Sequence, residues 1–152
     1  MNVNGSSLGN PGPFGGGGVA KDHLGDLIFA FHSGYGISSN GQAETKVFWE
    51  ALSHCKAKGL NKVELVSDSK SVVEALSKVS SPSWVMWYWW TRIKSLKDNM
   101  EICFSYSPRE SNAMTDDLTQ MGSGSQAHSS FQSIAELPPL IKGLLFLDKV
   151  GL

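Results

Sequence analysis

Asn2-Val3-Asn4-Gly5-Ser6-Ser7-Leu8-Gly9-Asn10-Pro11-Gly12-Pro13-Phe14, then Gly15 to Gly18 and Val19-Ala20-Lys21, is the stretch from which the fold is read. Glycine is dense here because the backbone must turn tightly and come close to something. A strand that ends in a polar residue followed by Gly-Ser-Ser reads as a site at a strand terminus. A Gly-rich hairpin between two strands is the structural alternative. A phosphate-binding P-loop is excluded, since no Gly-Lys-Ser/Thr follows and no helix starts at Lys21.

Working outward, Met1 to Asn4 reads as one strand, Gly15 to Asp22 as the next, and Leu27 to His32, after the Leu24-Gly25-Asp26 turn, as a third. Short turns between the three predict an antiparallel meander. Ser39 to Lys58 reads as a helix. Ser39 with Gln42 fits a capping box, Ala43, Val47, Ala51, Leu52 and Cys55 form one buried stripe, and Gly59 closes it. Glu44 lies beside that stripe in the first turn. Lys62 to Ser67 is a strand with Asp68 at its carboxyl end, and Ser69 can cap a helix bearing Val72, Val73, Leu76 and Val79. A strand, a helix and a further strand predict a parallel crossover, and in open α/β sheets sites form at the carboxyl ends of strands.

After the Ser80-Ser81-Pro82-Ser83 break, Trp84, Trp87, Tyr88, Trp89 and Trp90 precede Ile93 and Leu96 at helical spacing. They read mainly as an aromatic core-covering helix, with one Trp exposed. The alternative is an aromatic and basic surface, with Arg92, Lys94 and Lys97, that stacks on nucleic acid. Ile102, Phe104 and Tyr106 alternate as a final strand. Ser111 can cap a helix through Met121 that carries Asp116 and Asp117. Gly122 to Gln126 reads as a flexible linker. The tail from Phe131 to Leu152 is too apolar for a free arm and is expected to dock on the domain or bind a protein partner.

The chain has 152 residues and a net charge of −1, enough for one domain with a proper core and no bulk basic field. Nucleic-acid binding must therefore rest on a local patch. Cys55 and Cys103 lie far apart in apolar segments and read as buried free thiols. No apolar run spans a membrane, and no signal pattern opens the chain. The expectation is a soluble intracellular protein, of nucleus or cytoplasm, with no membrane partner. So few residues precede the key turn that the chain is also expected to be a fragment or the tail end of a larger polyprotein.

The opening stretch resembles the first strand and turn of ribonuclease H domains, Asp-Gly-Ser-x-x-Gly-Asn-Pro-Gly-Pro, at every marked position but the first. Three further motifs follow in order. Gln42-Ala43-Glu44 and Ser67-Asp68-Ser69 resemble those carrying the second and third acidic residues. Arg109-Glu110-Ser111-Asn112-Ala113-Met114-Thr115-Asp116 resembles the plant-type motif carrying the fourth. The tail is similar to that of plant reverse-transcriptase-like, retrotransposon-derived proteins. The resemblance covers about Asn2 to Met121. It implies an α/β ribonuclease H-like fold with a mixed five-stranded sheet, order 3-2-1-4-5, flanked by helices. Residues 1–122 are expected to form that domain, and 123–152 a linker and a docking tail.

It also implies a site. Asn4, Glu44, Asp68 and Asp116 take the catalytic positions, and Glu44, Asp68 and Asp116 the metal-ligating ones. Gly5, Ser6, Asn10, Asn40 and Asn112 take positions against an RNA/DNA hybrid, where the 2′-hydroxyl marks the RNA strand. Turn and cap chemistry is the alternative for Asn10 and Asn40. The implied chemistry is two-metal phosphoryl transfer by Mg²⁺ or Mn²⁺ ions about 3.5–4 Å apart. Asp117 is turned away from Asp116 by about 100° and is expected to face solvent. Two departures follow. Asn4 stands where the family has its first Asp, which contacts both metals, and an amide carries no negative charge. Tyr106 stands where the family often has a proton-transferring His. The expected function is hybrid binding with impaired RNA-strand hydrolysis. The rivals are an active hybrid ribonuclease and a protein-interaction module with a relic site.

Overall fold

The computed structural model describes residues 1–7, 12–38, 40–77, 84–108 and 113–150. Strands β1 (Asn2–Ser7), β2 (Gly12–Lys21) and β3 (Leu27–Ser38) form the antiparallel meander. Helix α1 (Asn40–Ala57) leads to β4 (Lys62–Ser67), α2 (Lys70–Ser77), α3 (Trp84–Leu96) and β5 (Glu101–Tyr106). Strand β4 lies parallel to both β1 and β5. The chain closes with α4 (Ala113–Ser125), β6 (Ser129–Phe131), a 3₁₀ turn at Ile134–Glu136 and α5 (Pro139–Lys149).

The sheet order is β5-β4-β1-β2-β3-β6. The expected 3-2-1-4-5 order is therefore present, with a sixth strand added from the tail. β6 pairs antiparallel with β3, Ala30 opposite Phe131 and His32 opposite Ser129. Three residues with no clear alternation gave the sequence reading nothing to register. The expected linker at Gly122–Gln126 is corrected too. α4 runs through Ser125, with Gly122 and Ser123 buried. Two glycines normally weaken a helix, but a Cβ on Gly122 would stand 2.4 Å from the Ser33 carbonyl oxygen, so this glycine lets the helix lie against the sheet, while Gly124 faces open space.

Alternation along the strands feeds two cores. Val3, Ala20, Phe29 and Phe31 face α1, where Val47, Phe48, Ala51 and Leu52 meet them. Val19 and Ala30 face the other way, toward Leu118 of α4 and Leu137, Ile141 and Leu145 of the tail. The glycines of β2 follow the same alternation. A Cβ on Gly16 would meet the Val47 side chain, whereas one on Gly17 would stand 2.8 Å from Leu118 Cβ and 2.9 Å from the Thr119 nitrogen. The close partner that the glycine density implied is, on this face, helix α4.

The tail is part of the packed structure. Ile141 is 1% exposed, and Lys21 makes an ion pair with Asp148 that ties α5 to β2. Ile141→Ala is expected to cost about 2–4 kcal/mol, read as a lower denaturant midpoint with unchanged slope. A free arm would show no change.

Two further expectations change. Cys103 is exposed on the edge strand β5, and only Cys55 is buried, with both thiols free. A parallel edge strand keeps one flank open to water, which an alternating pattern does not reveal. On α3, Trp87 and Tyr88 are exposed, while Trp89 and Trp90 are half-buried. Trp90 Nε1 donates to the Ala75 carbonyl at 3.3 Å. The Ser39 cap and Val79 lie outside the described residues, as does the side chain of Trp84.

Candidate active site

The site is built where β1 and β4 lie side by side. Val3 points into the α1 core, so Asn4 points to the opposite face, beneath α4. There Asn4 is 6% exposed. Its Nδ2 donates to Asp116 Oδ1 at 2.6 Å. Its backbone carbonyl lies 3.0 Å from Thr119 Oγ1 and shares that hydroxyl's one proton with the Thr115 carbonyl at 2.7 Å. An ionised carboxylate only accepts hydrogen bonds, so the amide NH₂ must be the end that meets Asp116. Asp116 occupies the first turn of α4, and Thr119 sits one turn on, facing the same strand. Asp117, expected in solvent, is half-buried, and the residue that reaches position 4 is Asp116.

Asn2 pairs with Val66 across the parallel β1–β4 ladder. The same register brings Asn4 level with Asp68, just past the end of β4. Glu44, half-buried on α1, accepts from Ser69 Oγ through Oε2 at 3.0 Å. Burial pushes the Glu44 carboxyl above its ordinary pKa, the Ser69 hydroxyl opposes that, and the Asp68 charge adds to it. Asn4 and Asp116 are thus joined by a hydrogen bond, and Asp68, which follows the strand beside β1, acts on Glu44 through its charge.

Fit to divalent cations can be tested on this donor set. Two bridged cations need a charged oxygen donor at the shared position, with carboxylates around it. Position 4 presents an amide, and its N–H occupies an oxygen of Asp116. Among the described residues, no group of three or more His, Cys, Asp or Glu side chains is arranged to hold a metal ion. The set does not fit a bridged pair as it stands. Asp22 does not substitute: its Oδ1 accepts from the Leu24 and Asp26 amides in the β2–β3 turn.

Gly5 pairs with Gly16 in the ladder. The side chains of Ser6 and Asn40, and the whole of Asn10 and Asn112, lie outside the described residues, as does most of the Gly9 to Gly12 turn. Tyr106, at the end of β5, is exposed. Two contributors escaped the sequence reading. Ser69 reads as a helix cap but holds Glu44. Thr119 carries no motif, and only its place three residues after Asp116 puts it on the same helix face.

A second polar cluster lies between β3 and α1. Glu50 accepts hydrogen bonds from both Ser33 Oγ and Tyr35 OH. His54 Nε2 stands 3.8 Å from Glu50 Oε1, an ion-pair rather than a hydrogen-bond distance. Burial alone would raise the Glu50 pKa, but the imidazole and the two hydroxyls outweigh it and hold the carboxyl below its ordinary range. Burial, and then the Glu50 charge, raise the Tyr35 phenol well above its usual value. A group with a depressed folded pKa stabilises fully above its unfolded pKa and loses that contribution as pH falls through the folded one. Glu50→Gln is therefore expected to lose about 1–3 kcal/mol at neutral pH and to converge on the parent in acid, in urea melts across the acid range.

A family model described as reverse transcriptase-like matches residues 2–122. No curated protein matches the chain. Several solved structures do. Ribonuclease H1 of the halophilic archaeon Halobacterium salinarum is 25% identical with a TM-score of 0.74, covering 80% of this chain and 93% of its own. LC11-RNase H1, isolated from compost, is 26% identical with a TM-score of 0.76, covering 82% of this chain and 94% of its own. That enzyme in complex with an RNA/DNA hybrid is 26% identical with a TM-score of 0.74, covering 82% of this chain and 95% of its own. The fold is ribonuclease H-like.

Proposed function

The chain belongs to the reverse transcriptase-like family, and on that premise we propose that it binds RNA/DNA hybrids while cleaving the RNA strand poorly or not at all. The observation that carries this reading is the hydrogen bond from Asn4 Nδ2 to Asp116 Oδ1. It satisfies the acidic site internally, with an uncharged group where a charge would draw in a cation. Binding needs no such charge, and a relative of 26% identity is described in complex with an RNA/DNA hybrid. A retrotransposon-type origin fits the family and the plant-type motif at Arg109 to Asp116. In this reading Gly5, Ser6, Asn10, Asn40 and Asn112 contact the hybrid, and Glu44, Asp68 and Asp116 seat no bridged pair of Mg²⁺ or Mn²⁺ ions while position 4 is an amide.

With a net charge of −1, affinity is set by a few local contacts. The expected result is hybrid binding that weakens with salt at a shallow slope, about 0.7–0.9 per phosphate neutralised, with the hybrid intact after incubation in Mg²⁺. Fluorescence anisotropy and a gel of the same samples check both halves. Prompt cleavage, lost on Asp68→Asn, would establish the working enzyme instead. No binding at low salt would favour a protein-binding role. That second reading has its own support in the outward apolar side chains of α5, Leu140, Phe146 and Leu147.

A further inference from the structure

We propose that Asn4 is a latent carboxylate: followed by Gly5, its side chain hydrolyses to the acid while the chain is unfolded, and the folded sheet preserves it as the amide. The inference concerns the regulation of the site proposed above and rests on that reading. In an Asn-Gly pair the glycine backbone nitrogen attacks the asparagine Cγ. A new N–C bond closes a five-membered succinimide, and the side-chain nitrogen leaves as ammonia. Water then opens the ring to aspartate or, through the other carbonyl, to isoaspartate. The balance is amide plus water giving acid plus ammonia, with no oxidant or cofactor. Glycine favours ring closure because no Cβ obstructs the approach and its backbone turns freely.

The structure closes this route in the native state. Asn4 and Gly5 are both in β1, opposite Gly17 and Gly16 of β2. An extended strand holds the Gly5 nitrogen away from the Asn4 Cγ. The Asn4 amide is engaged by Asp116 and its carbonyl by Thr119, and at 6% exposure little water reaches it. Unfolding removes every one of these restraints together.

The consequence of conversion can be read from the same contact. A carboxylate at position 4 would face Asp116 Oδ1 where the amide now stands 2.6 Å away. A stabilising hydrogen bond becomes a repulsion between like charges, which only a proton or a bound cation relieves. Opening of the ring to aspartate thus changes a self-satisfied site into one that requires a cation, whereas opening to isoaspartate reroutes the backbone through the side chain and does not. Asn40-Gly41 is the same dipeptide at the start of α1 and provides an internal comparator.

The test holds the full chain in mildly alkaline buffer, folded in one arm and unfolded in denaturant in the other, before refolding. Peptide mass mapping then separates Asn4 from Asn40 and aspartate from isoaspartate. Thermal melts in chelator, Mg²⁺ and Mn²⁺, and cleavage of a labelled hybrid, read the site, with Asn4→Asp and Asn4→Gln as references. The expected result is conversion at Asn4 in the unfolded arm only. The refolded aspartate form should have a lowered melting midpoint in chelator that Mn²⁺ restores, as in Asn4→Asp. Asn4→Gln, carried through the same treatment, should gain no cation response. Equal conversion in the folded arm, no conversion in the unfolded arm, or a cation response in treated Asn4→Gln would overturn the inference. Conversion at Asn4 beside an Asn4→Asp protein that neither cleaves nor responds to cations would overturn the inferred regulation of the site, whereas the functional reading fails separately, on absent hybrid binding by the parent at low salt.

Discussion

Asn4→Asp is expected to give a protein less stable in chelator than the parent, stabilised by Mg²⁺ or Mn²⁺, and able to cleave RNA in a hybrid. The first part follows from charge. The parent has a donor 2.6 Å from Asp116 Oδ1, and the variant has two carboxylates there. At an effective dielectric of about 20, two like charges about 4 Å apart repel by about 4 kcal/mol. Proton uptake relieves part of this, so a loss on the order of 1–3 kcal/mol is expected near neutral pH. Cation binding to the folded state alone then raises the midpoint with ligand concentration. Melts at graded Mn²⁺ check this independently of activity. A variant as stable as the parent in chelator would mean that Asn4 and Asp116 are not in contact.

Gly17→Ala is expected to damage stability and site geometry together. Gly17 is the cross-strand partner of Asn4 and lies directly under α4. A methyl group there would stand 2.8 Å from Leu118 Cβ and 2.9 Å from the Thr119 backbone nitrogen. Neither neighbour is the end of a flexible side chain, so the helix itself must move. Overpacking of this kind costs about 1–3 kcal/mol. The displaced helix carries both Thr119, which holds the Asn4 carbonyl, and Asp116, which accepts its amide. The same substitution in the Asn4→Asp background should therefore reduce any gained cleavage by more than the stability loss explains. Gly25→Ala is a useful contrast. Its φ of 84° sits in a turn with nothing within 4 Å, so it should strain the backbone locally and leave the site alone.

Strong local patterns were legible in the sequence. The α1 stripe and the β4 and β5 alternation gave the elements, the resemblance carried by four motifs in order implied the sheet order, and the register of the last motif selected Asp116 over Asp117. What escaped depended on contacts between distant segments. β6 is three polar and aromatic residues whose only reason to be a strand is the open edge of β3. The last turn of α4 reads as a linker because glycine disfavours helix, whereas the Ser33 backbone beneath it leaves no room for a side chain at Gly122. Ser69 and Thr119 carry ordinary side chains, and their importance comes from what folding places opposite them. Asn4 was visible as a missing charge, but its use as a donor to Asp116 needed the two elements seen together.

The sixth strand carries a consequence for how this protein behaves in a crowded solution. β6 covers part of an edge of β3 that would otherwise expose unpaired backbone groups, and uncapped edges of that kind recruit strands from other molecules. Ending the chain after α4 would uncover that edge along with the apolar ground beneath Leu137, Ile141 and Leu145. Such a truncated protein should self-associate as its concentration rises, and turbidity or light scattering would register this before any enzymatic assay did.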